Sequence, residues 1–488
     1  MKPRLARALS RPFRRSLPAA GMLVALALAV RAQLPEGWAV TSNFASHDAP
    51  SFGWLPHPGD GGLSMFHPTQ PSTRCAITGL AQDLTGTAQP VDMGASAVAV
   101  RASDGALVVG EHVPPNGDLD VHVITLVGAA VAGDIKYYLG AAGPAGAQVA
   151  QLALLPNEDV LVGVSGVVAG PMANRWLGVL DTSTGIVTPV PLTPPAGGLN
   201  AMTADDAGTT AYFAAITNAV GPGAFASQIW SVPIASGGAP TLLLSTNDAV
   251  LNLAYRAPGD AGGNPELVVA SLGDAGLPNL LRLDLVGGGA APIVTGLTEG
   301  FNGVDFDPLT GDLLAARDDP YTGTGEVYRV RFDGSSTLLW SSAIDGAFGE
   351  PSGLAIRPPA TRYGIDTPGA STYGWAIAPN PGGLPLLGNA AFTLTVTQSP
   401  GTSPGFVFTS LAPASFVAFG VLVLIDLGQQ VGSAVAAPPN TVPLPIPAMA
   451  SLAGLDLYLQ GVFADPLTTP NYAASDGLRL TLIGTGCP

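Results

Sequence analysis

The chain has 488 residues, of which 47 % are hydrophobic and 11 % charged, and this composition excludes a disordered chain. Its 63 glycines and 46 prolines indicate many turns, so we expect an all-β fold with few helices held by surface ion pairs. With 19 basic and 35 acidic residues, the formal net charge is −16, which excludes the basic surface that a nucleic-acid partner requires.

Residues 1–32 have the pattern of an export signal. Six basic residues precede the apolar run 22–30, and Val30-Arg31-Ala32 is a small-residue cleavage pattern. The apolar run is far below the ~20 residues that cross a bilayer, so we predict a cleaved signal peptide and no membrane span. The general export route is expected, and the pair Arg14-Arg15 leaves a twin-arginine signal as the alternative. The protein is thus predicted to be exported to the periplasm, the cell surface or the medium of a bacterium.

Cleavage after Ala32 would remove seven of the 19 basic residues and none of the 35 acidic ones. The mature net charge would be about −23, and Lys136 would be the only lysine. Such a chain offers no surface for nucleic acid or for anionic lipid.

A unit of about fifty residues repeats between residues 95 and 359. Each copy opens with a short apolar strand followed by a turn, and a second alternating strand follows later in the copy. The opening strands are predicted at 97–100, 151–154, 199–202, 251–254, 304–306 and 352–356, and the later strands at 121–126, 176–180, 229–234, 280–285 and 327–332. Repeats of this length, made of short strands and Gly/Asp turns, are typical of β-propeller blades.

The two ends of the repeat region complement each other. Residues 33–62 are interpreted as an irregular lead-in, and residues 63–66 and 75–80 as strands that lack an opening strand. Residues 352–356 form an opening strand without the rest of a blade. We therefore predict that the two ends share one blade, which closes the ring and removes its free edges. This count predicts a six-bladed propeller over residues 33–360, with seven blades as the alternative if residues 39–52 form strands.

Residues 361–488 differ in composition, with Arg479 as the only basic residue from Tyr363 onward. Strands are predicted at 392–396, 406–409, 416–425, 455–460 and 478–483, a spacing that indicates a β-sandwich. The run 416–425 is interpreted as one strand buried on both faces. We expect this domain to be an independent module for sorting or surface association.

The two cysteines, Cys75 and Cys487, lie near opposite ends of the mature chain. An exported protein meets an oxidising compartment, where a disulfide between them is one hypothesis. A buried Cys75 and a free Cys487 thiol are the other.

One repeat carries a specific resemblance. Asn302-Gly303, Pro308-Leu309-Thr310-Gly311 and Gly325-Glu326-Val327-Tyr328-Arg329-Val330, with Pro351-Ser352-Gly353-Leu354-Ala355 after them, resemble blades of the NHL and gluconolactonase-like six-bladed propellers. The tail, with Pro385-Leu386-Leu387-Gly388-Asn389, resembles a module that recurs at the C-termini of secreted bacterial proteins. A shared fold by itself implies no activity.

The resemblance to gluconolactonase-like enzymes implies a divalent cation, for instance calcium, at the channel mouth, with oxygen ligands from several blade starts. Asn200, Asn252 and Asn302 fall at three successive blade starts and are the candidate ligands. The turns that follow align Asn200 with Asn252 and put Asn302 one residue out of register. Glu36, in the lead-in, does not match the family's N-terminal acidic ligand. The alternative is a protein without a cofactor, in which these side chains bond to the backbone.

Other polar clusters are less complete. All five histidines (His47, His57, His67, His112 and His122) lie early in the mature chain, but no two have metal-ligand spacing, so they are interpreted as ordinary loop and strand residues. The acidic segments 116–120 and 318–326 lack a full calcium ligand set and are interpreted as solvated turns. Trp176, Trp230 and Tyr328, which recur in the later strands, are predicted to pack between blades.

These observations lead to two hypotheses of function. The first is an exported, non-enzymatic propeller with a binding or surface-structural role and an unidentified protein or glycan ligand. It follows from the lack of a complete set of catalytic residues in the sequence. The second is a metal-dependent lactonase or related hydrolase that acts at the channel mouth.

Overall fold

The computed structural model describes most of residues 34–484, and the remainder of the chain is not discussed. The described ranges are 34, 37–44, 46–48, 54–56, 62–68, 70–85, 94–113, 116–144, 146–173, 176–221, 224–257, 264–273, 278–295, 297, 300–306, 312–319, 324–341, 350–357, 360–363, 376–379, 385–397, 405–418, 420–436, 441–464 and 471–484. The predicted signal peptide and Glu36 lie outside them. None of the helices within these ranges is long and apolar enough to cross a membrane.

Strands account for nearly all of the regular structure. In chain order the first part contains β1 (Ala39–Phe44), β2 (Ser46–Asp48), β3 (Trp54–Pro56), β4 (Gly62–His67), β5 (Gln70–Ala76), the short helix α1 (Gln82–Thr85), β6 (Gly94–Val100), β7 (Leu107–Val113), β8 (Asp118–Val127), β9 (Ala130–Ala142), β10 (Ala147–Leu154), β11 (Val160–Ser165), β12 (Val167–Ala169), β13 (Leu177–Leu180) and β14 (Val187–Pro189). The second part contains β15 (Gly198–Ala204), β16 (Thr210–Gly221), β17 (Ala224–Pro233), β18 (Thr241–Thr246), β19 (Val250–Arg256), β20 (Glu266–Ser271), β21 (Leu280–Asp284), β22 (Ala290–Val294), β23 (Gly303–Phe306), β24 (Leu313–Asp319), β25 (Thr324–Val330), β26 (Ser336–Ser341) and β27 (Glu350–Ile356).

The tail contains β28 (Ala360–Tyr363), β29 (Ala376–Pro379), β30 (Thr393–Thr397), β31 (Gly405–Ser410), β32 (Pro413–Ala418), β33 (Val421–Ile425), the 3-10 turn Leu427–Gln429, β34 (Gln430–Ala436), β35 (Thr441–Pro443), the 3-10 turn Ala450–Leu452, β36 (Asp456–Ala464) and β37 (Tyr472–Thr481). The chain is therefore almost entirely β, as its composition predicts.

Most of the strands before residue 357 pair in antiparallel groups of four, each begun by a predicted opening strand. The groups β15–β18, β19–β22 and β23–β26 are separate sheets. The groups β6–β9 and β10, β11, β13, β14 belong to a larger sheet, in which β10 also contacts the end of β7. This arrangement is that of propeller blades, and the number of blades stays a prediction.

The ring closes through strands from both ends of the repeat region. Strand β1 pairs antiparallel with β27 along its whole length and pairs on its other side with β4, which pairs with β5. We call β27, β1, β4 and β5 the closing sheet. The predicted sharing of one blade is thus observed, but the lead-in is not irregular throughout. Strand β1 lies within it, because β27 and β4 provide the backbone partners that this segment lacks locally.

Two turns show how the acidic residues shape the hairpins. Asp181 and Asp284 each begin a five-residue turn that ends in Gly185 or Gly288, with φ of 74° and 67°. The backbone N–H of each glycine donates to the carbonyl of its aspartate, at 2.8 and 2.9 Å. A positive φ is easily adopted by glycine, and an aspartate side chain satisfies the free N–H groups of the turn. The carboxylates of these two aspartates therefore have a structural role.

A central cavity of about 240 Å³ runs between the opening strands. It is lined by residues from β6, β10, β15, β19, β23 and β27, which places the second half of each opening strand around one axis. The hydrophobic cores lie between neighbouring sheets, outside this axis. One of them joins Leu161 and Leu177 to Met202, Phe213 and Val232.

The tail is a module of packed sheets. Strands β28, β37, β36, β31 and β34 form one sheet, and β29, β30 and β35 form another. Leu394 and Val442 of the smaller sheet share a core with Leu457, Leu459 and Leu480 of the larger sheet, among others. Face-to-face sheets with a core of alternating residues have the arrangement of a β-sandwich.

The prediction of one buried strand over 416–425 is wrong. This segment lies in the hairpin of β32 and β33, and Gly420, with φ of 78°, lies in the turn. Strand β33 packs Val421, Val423 and Ile425 on the second face of the larger sheet, whereas Val417 of β32 is 74 % exposed. The run is continuous in sequence, but in the structure it consists of one exposed strand and one buried strand separated by a glycine turn.

The tail contacts the propeller at the closing sheet. Ile483, which is fully buried, belongs to the same core as Trp38, Val40 and Cys75. The Arg479 guanidinium donates hydrogen bonds to the carbonyl oxygens of Ala102 and Ser103, at 2.7 and 2.6 Å. The boundary near residue 360 stays a prediction, and any separation of the two parts must break these contacts.

Candidate functional site

The three asparagines predicted as metal ligands lie at the starts of the opening strands. The Asn200 amide donates to the carbonyl oxygen of Val250 at 2.7 Å, and the Asn252 amide donates to that of Asn302 at 2.8 Å. Each bond joins one blade start to the next along the chain. A buried backbone carbonyl needs a donor, and these side chains supply one.

Asn252 has a second partner across the ring. Its amide and that of Gln151 bond to each other, with distances of 3.1 and 3.4 Å, although β10 and β19 belong to groups that are not adjacent. Asn252 is 2 % exposed. Both polar atoms of its amide are therefore already in hydrogen bonds.

β-Bulges near the starts of the opening strands reveal the register of these residues. In β15 the unpaired residue is Asn200, and in β19 it is Leu251, so Asn252 lies one position later than Asn200. In β23, Gly303 pairs with Ala316, and the backbone N–H of the preceding residue, Asn302, also donates to the carbonyl of Ala316. Asn302 therefore directly precedes the regularly paired part of its strand, as the unpaired Asn200 does in β15, and the two asparagines are equivalent. The alignment drawn from the turns is therefore wrong. The loops after the opening strands differ in length, whereas the bulges keep their position.

The three asparagines are not among the residues that line the central cavity. Apart from Gln151, the lining residues of the opening strands come later in each strand than the asparagine position. The polar lining of the cavity includes Gln151, Thr203, Asp206, Tyr255 and Asp305. Burial raises the pKa of Asp206, and so does the neighbouring Asp205 carboxylate. The Asp305 carboxylate accepts the backbone N–H of Ile356 at 2.9 Å and links β23 to the closing strand.

A pair of tyrosines lies beside the cavity, and one of them, Tyr255, is part of its lining. The rings of Tyr212 and Tyr255 are stacked, with centroids 5.8 Å apart and planes inclined by 10°. Burial raises the pKa of Tyr212 to about 12, with smaller contributions from Tyr255 and Asp205. Both phenols are therefore neutral donors at physiological pH.

A second polar cluster lies on β7, β8 and β9, far from the asparagines in sequence. Strand pairing places Val109 opposite His122 and His122 opposite Lys136. Because side chains alternate between the faces of a strand, Glu111, His122, Lys136, and also Asp120 and Asp134, lie on one face of this sheet. The helix α1 adds Asp83, since its Leu84 packs into the core beneath.

Three ligand atoms converge in this cluster. The Nε2 atom of His122 lies 3.8 Å from an oxygen of Asp83 and 3.8 Å from an oxygen of Glu111. All three atoms lie within 4.8 Å of one another. His122 is fully buried and Glu111 is 1 % exposed. A separation of 3.8 Å is too long for a hydrogen bond, and within the described part of the chain His122 Nε2 has no hydrogen-bond partner.

The other polar atom of each side chain is held in place. His122 Nδ1 lies 3.0 Å from both carboxylate oxygens of Asp134, and Glu111 accepts the backbone N–H of Asp120 at 2.5 Å. Asp83 accepts the backbone N–H of Leu84 at 3.0 Å. These bonds orient the three converging atoms toward one point.

The electrostatics of the cluster follow from burial and excess negative charge. Burial raises the pKa of Glu111, although His122 opposes the shift. Burial lowers the pKa of His122, but the Asp134 and Glu111 carboxylates outweigh it and raise the pKa to about 9. Lys136 forms an ion pair with Asp83. A protonated His122 and Lys136 thus partly balance four carboxylates.

This cluster is not evident from the sequence, which predicts His122 to be an ordinary strand residue. The prediction of a solvated turn over 116–120 is wrong for its second half, because Asp118–Val127 is a strand and burial raises the pKa of Asp120. The ligand atoms come from three elements, so no short motif contains them. The alternation of Asp118, Asp120 and His122 within one apolar strand was the available signal.

The other candidates have structural partners. Glu326 accepts from Arg317 and from the Tyr328 hydroxyl, both at 2.7 Å. As predicted, the recurring aromatic residues pack between sheets: Trp176 contacts Phe213 edge to face at 6.1 Å. The side chains of Asp318 and Asp319 lie outside the described part.

Cys75 is buried in the core of the closing sheet. Cys487 lies outside the described residues, so the pairing of these two cysteines stays a prediction.

Comparisons with known proteins give distant structural likeness only. No protein family matches the chain, and no curated protein matches it. An oligogalacturonate lyase in complex with manganese has a TM-score of 0.35 and 14 % identity over 63 % of this chain and 75 % of its own. Hydrazine synthase of Kuenenia stuttgartiensis has a TM-score of 0.37 and 14 % identity, and the match covers 74 % of this chain and 96 % of its own. The Dos1 propeller has a TM-score of 0.33 and 10 % identity, and the match covers 64 % of this chain and 70 % of its own.

Proposed function

We propose that the mature chain is an exported, non-enzymatic propeller that binds a protein or glycan ligand at the mouth of its central cavity. The observation that carries this proposal is the stacked pair of Tyr212 and Tyr255 at the cavity, with Tyr255 in its lining. Aromatic rings offer large contact areas at low conformational cost, and tyrosine is enriched at the energetically dominant positions of interfaces.

A second group of aromatic and cationic side chains lies on the opposite face of the β19–β22 sheet and also supports a binding role. Arg256 follows Tyr255 in β19, and its guanidinium lies over the ring of Phe332 at 4.4 Å. Arg282 lies over the same ring at 5.6 Å, and both arginines pair with Glu266. Arginines held over aromatic rings present donors and apolar area together, a combination that is frequent at recognition surfaces.

The interior of the channel supports a role without catalysis. Gln151 and Asn252 join their amides across the channel, and the amide of Asn200 is bonded to the next blade. Side chains committed to such bonds are poor candidates for metal ligands, because each would have to give up a partner.

Glycan and peptide arrays with the mature protein test the proposal. Tyr255→Ala and Tyr212→Ala should each weaken binding to an array hit at least about tenfold, the effect of losing a residue that dominates an interface. Phe416→Ala is the matched control, since Phe416 is a partly exposed aromatic residue of the tail. The proposal fails if no ligand of any class binds while hydrolytic turnover is clear.

The alternative is a divalent-metal lactonase or related hydrolase at the channel mouth. It requires Asn200, Asn252 and Asn302 to offer oxygens to one cation. Asn200→Ala and Asn302→Ala should then abolish lactone hydrolysis and stabilisation by calcium without unfolding the chain. Normal behaviour of both variants removes this alternative.

Export is part of the proposal and has its own test. Expression of the full chain in a bacterium should yield a processed protein that begins at Gln33, identified by N-terminal sequencing of the exported fraction. An unprocessed cytoplasmic product would contradict it.

A further inference from the structure

We propose that Asp83, Glu111 and His122 form a binding site for a divalent first-row transition-metal ion, with zinc as the probe. The site lies at the edge of the core between the closing sheet and β6–β9, separate from the central cavity and from the three asparagines. It is independent of the proposed ligand-binding role.

The first support is the unsatisfied imidazole nitrogen. His122 Nε2 is fully buried, has no hydrogen-bond partner among the described residues and faces the two carboxylate oxygens at 3.8 Å. The two carboxylate oxygens are too far from the nitrogen for hydrogen bonds, so the three donor atoms leave room for an ion between them. A metal ion at about 2.0–2.2 Å from each donor fits between atoms that are 3.8 Å apart.

The second support is the orientation of each donor. The Asp134 carboxylate holds the Nδ1 side of His122, an arrangement that fixes the ring of metal-binding histidines in many proteins. Backbone N–H groups hold the second oxygen of Glu111 and of Asp83. The remaining lone pairs therefore point at a shared position without rearrangement of the buried elements.

The third support is charge. Asp83, Glu111, Asp120 and Asp134 surround the position, and Lys136 pairs with the same Asp83 oxygen that faces His122. The Lys136 side chain is 45 % exposed and can swing into solvent. A divalent ion would replace its ammonium group and the proton of His122.

The donor set selects the class of ion. One imidazole and two carboxylates suit zinc and its neighbours, whereas calcium takes six to eight oxygens. Three protein donors leave one position of a tetrahedral zinc for water.

Calorimetric titration of the metal-stripped mature protein with zinc, manganese and calcium chlorides tests the site. We expect one zinc ion per chain, weaker manganese and no calcium binding. Asp83→Asn and Glu111→Gln should each weaken zinc binding at least about tenfold, the loss that even an outer-sphere partner produces. Lys136→Ala should strengthen zinc binding, because it removes a competing cation.

Asp118→Asn is the matched control, because Asp118 is an exposed acid on the same strand, β8, and is not one of the converging donors. Asp83 and Lys136 are partly exposed, so their variants should fold even if a change at buried Glu111 does not, and circular dichroism checks this. Absence of zinc binding overturns the proposal. Zinc binding that is equal in the parent, Asp83→Asn and Lys136→Ala proteins also overturns it.

Discussion

Arg479, the only basic residue of the tail beyond Arg362, donates a hydrogen bond to the carbonyl oxygen of Ala102 in the propeller. The buried Arg357, which directly follows the closing strand, donates to the same oxygen at 3.5 Å. The turn after β6 is thus held from two directions, by the ring closure and by the tail.

Arg479→Ala should lower the free energy of unfolding by about 1–2 kcal/mol, since a charged donor to two carbonyls is lost at a partly exposed site. Urea unfolding at neutral pH measures the loss. Arg331→Ala is the control, because its side chain is 58 % exposed and it should change stability little. Equal effects of the two variants would show that the Arg479 contact is not specific.

Truncation after Pro359 should leave a cooperatively unfolding propeller with a lower melting temperature than the mature chain. The closing sheet is complete without the tail, but the burial of Ile483 and the Arg479 bonds are lost. Calorimetry measures the shift, and cell fractionation tests the proposed sorting role. A truncated chain that misfolds would show that the tail is a buttress and would remove the sorting proposal.

Gly110→Ala should destabilise the fold by roughly 1–3 kcal/mol through overpacking. A methyl group on Gly110 in β7 would lie 2.3 Å from Cβ of Val149 in β10, between two neighbouring groups of strands. Gly289→Ala is the control, because nothing lies within 4 Å of its added methyl group. The control should be neutral or more stable by up to about 1 kcal/mol, since alanine restricts the unfolded chain. A stable Gly110→Ala protein would contradict this close packing.

The Asp181 carboxyl should titrate with a pKa of about 2 in the folded protein, because Ser183 and Thr184 donate to it through their hydroxyls and backbone N–H groups. A pKa below the ordinary 3.8 means that its stabilising contribution is present above that value and is lost as the pH falls toward 2. NMR titration measures the pKa. Ser183→Ala with Thr184→Ala should return it toward 3.8, and an unchanged pKa in this variant would contradict the cause.

Cys75→Ser and Cys487→Ser should each lower the free energy of unfolding by about 2–5 kcal/mol, the usual effect of losing a native disulfide. If the two cysteines are partners, the double variant should be no less stable than either single one. Peptide mapping under non-reducing conditions provides the direct check. Additive losses, or a Cys487 peptide that is free, would exclude the pairing.

The sequence alone was enough to identify the repeat, the opening strands and the sharing of one sheet by both ends of the chain. Strand patterns and turn residues depend on residues that are close in the chain. An incomplete blade at one end of the repeat region implies that strands from the other end complete it. The packing of Trp176 against a neighbouring sheet was predictable for the same reason.

Tertiary structure alone decided which polar side chains meet. Asn200 corresponds to Asn302 and not to Asn252 because bulges, which depend on the partner strand, set the register. Asp83, Glu111 and His122 converge because pairing of β7 with β8 and packing of α1 join segments that are distant in sequence. Such contacts depend on long-range pairing and burial, which leave no spacing signal in the chain.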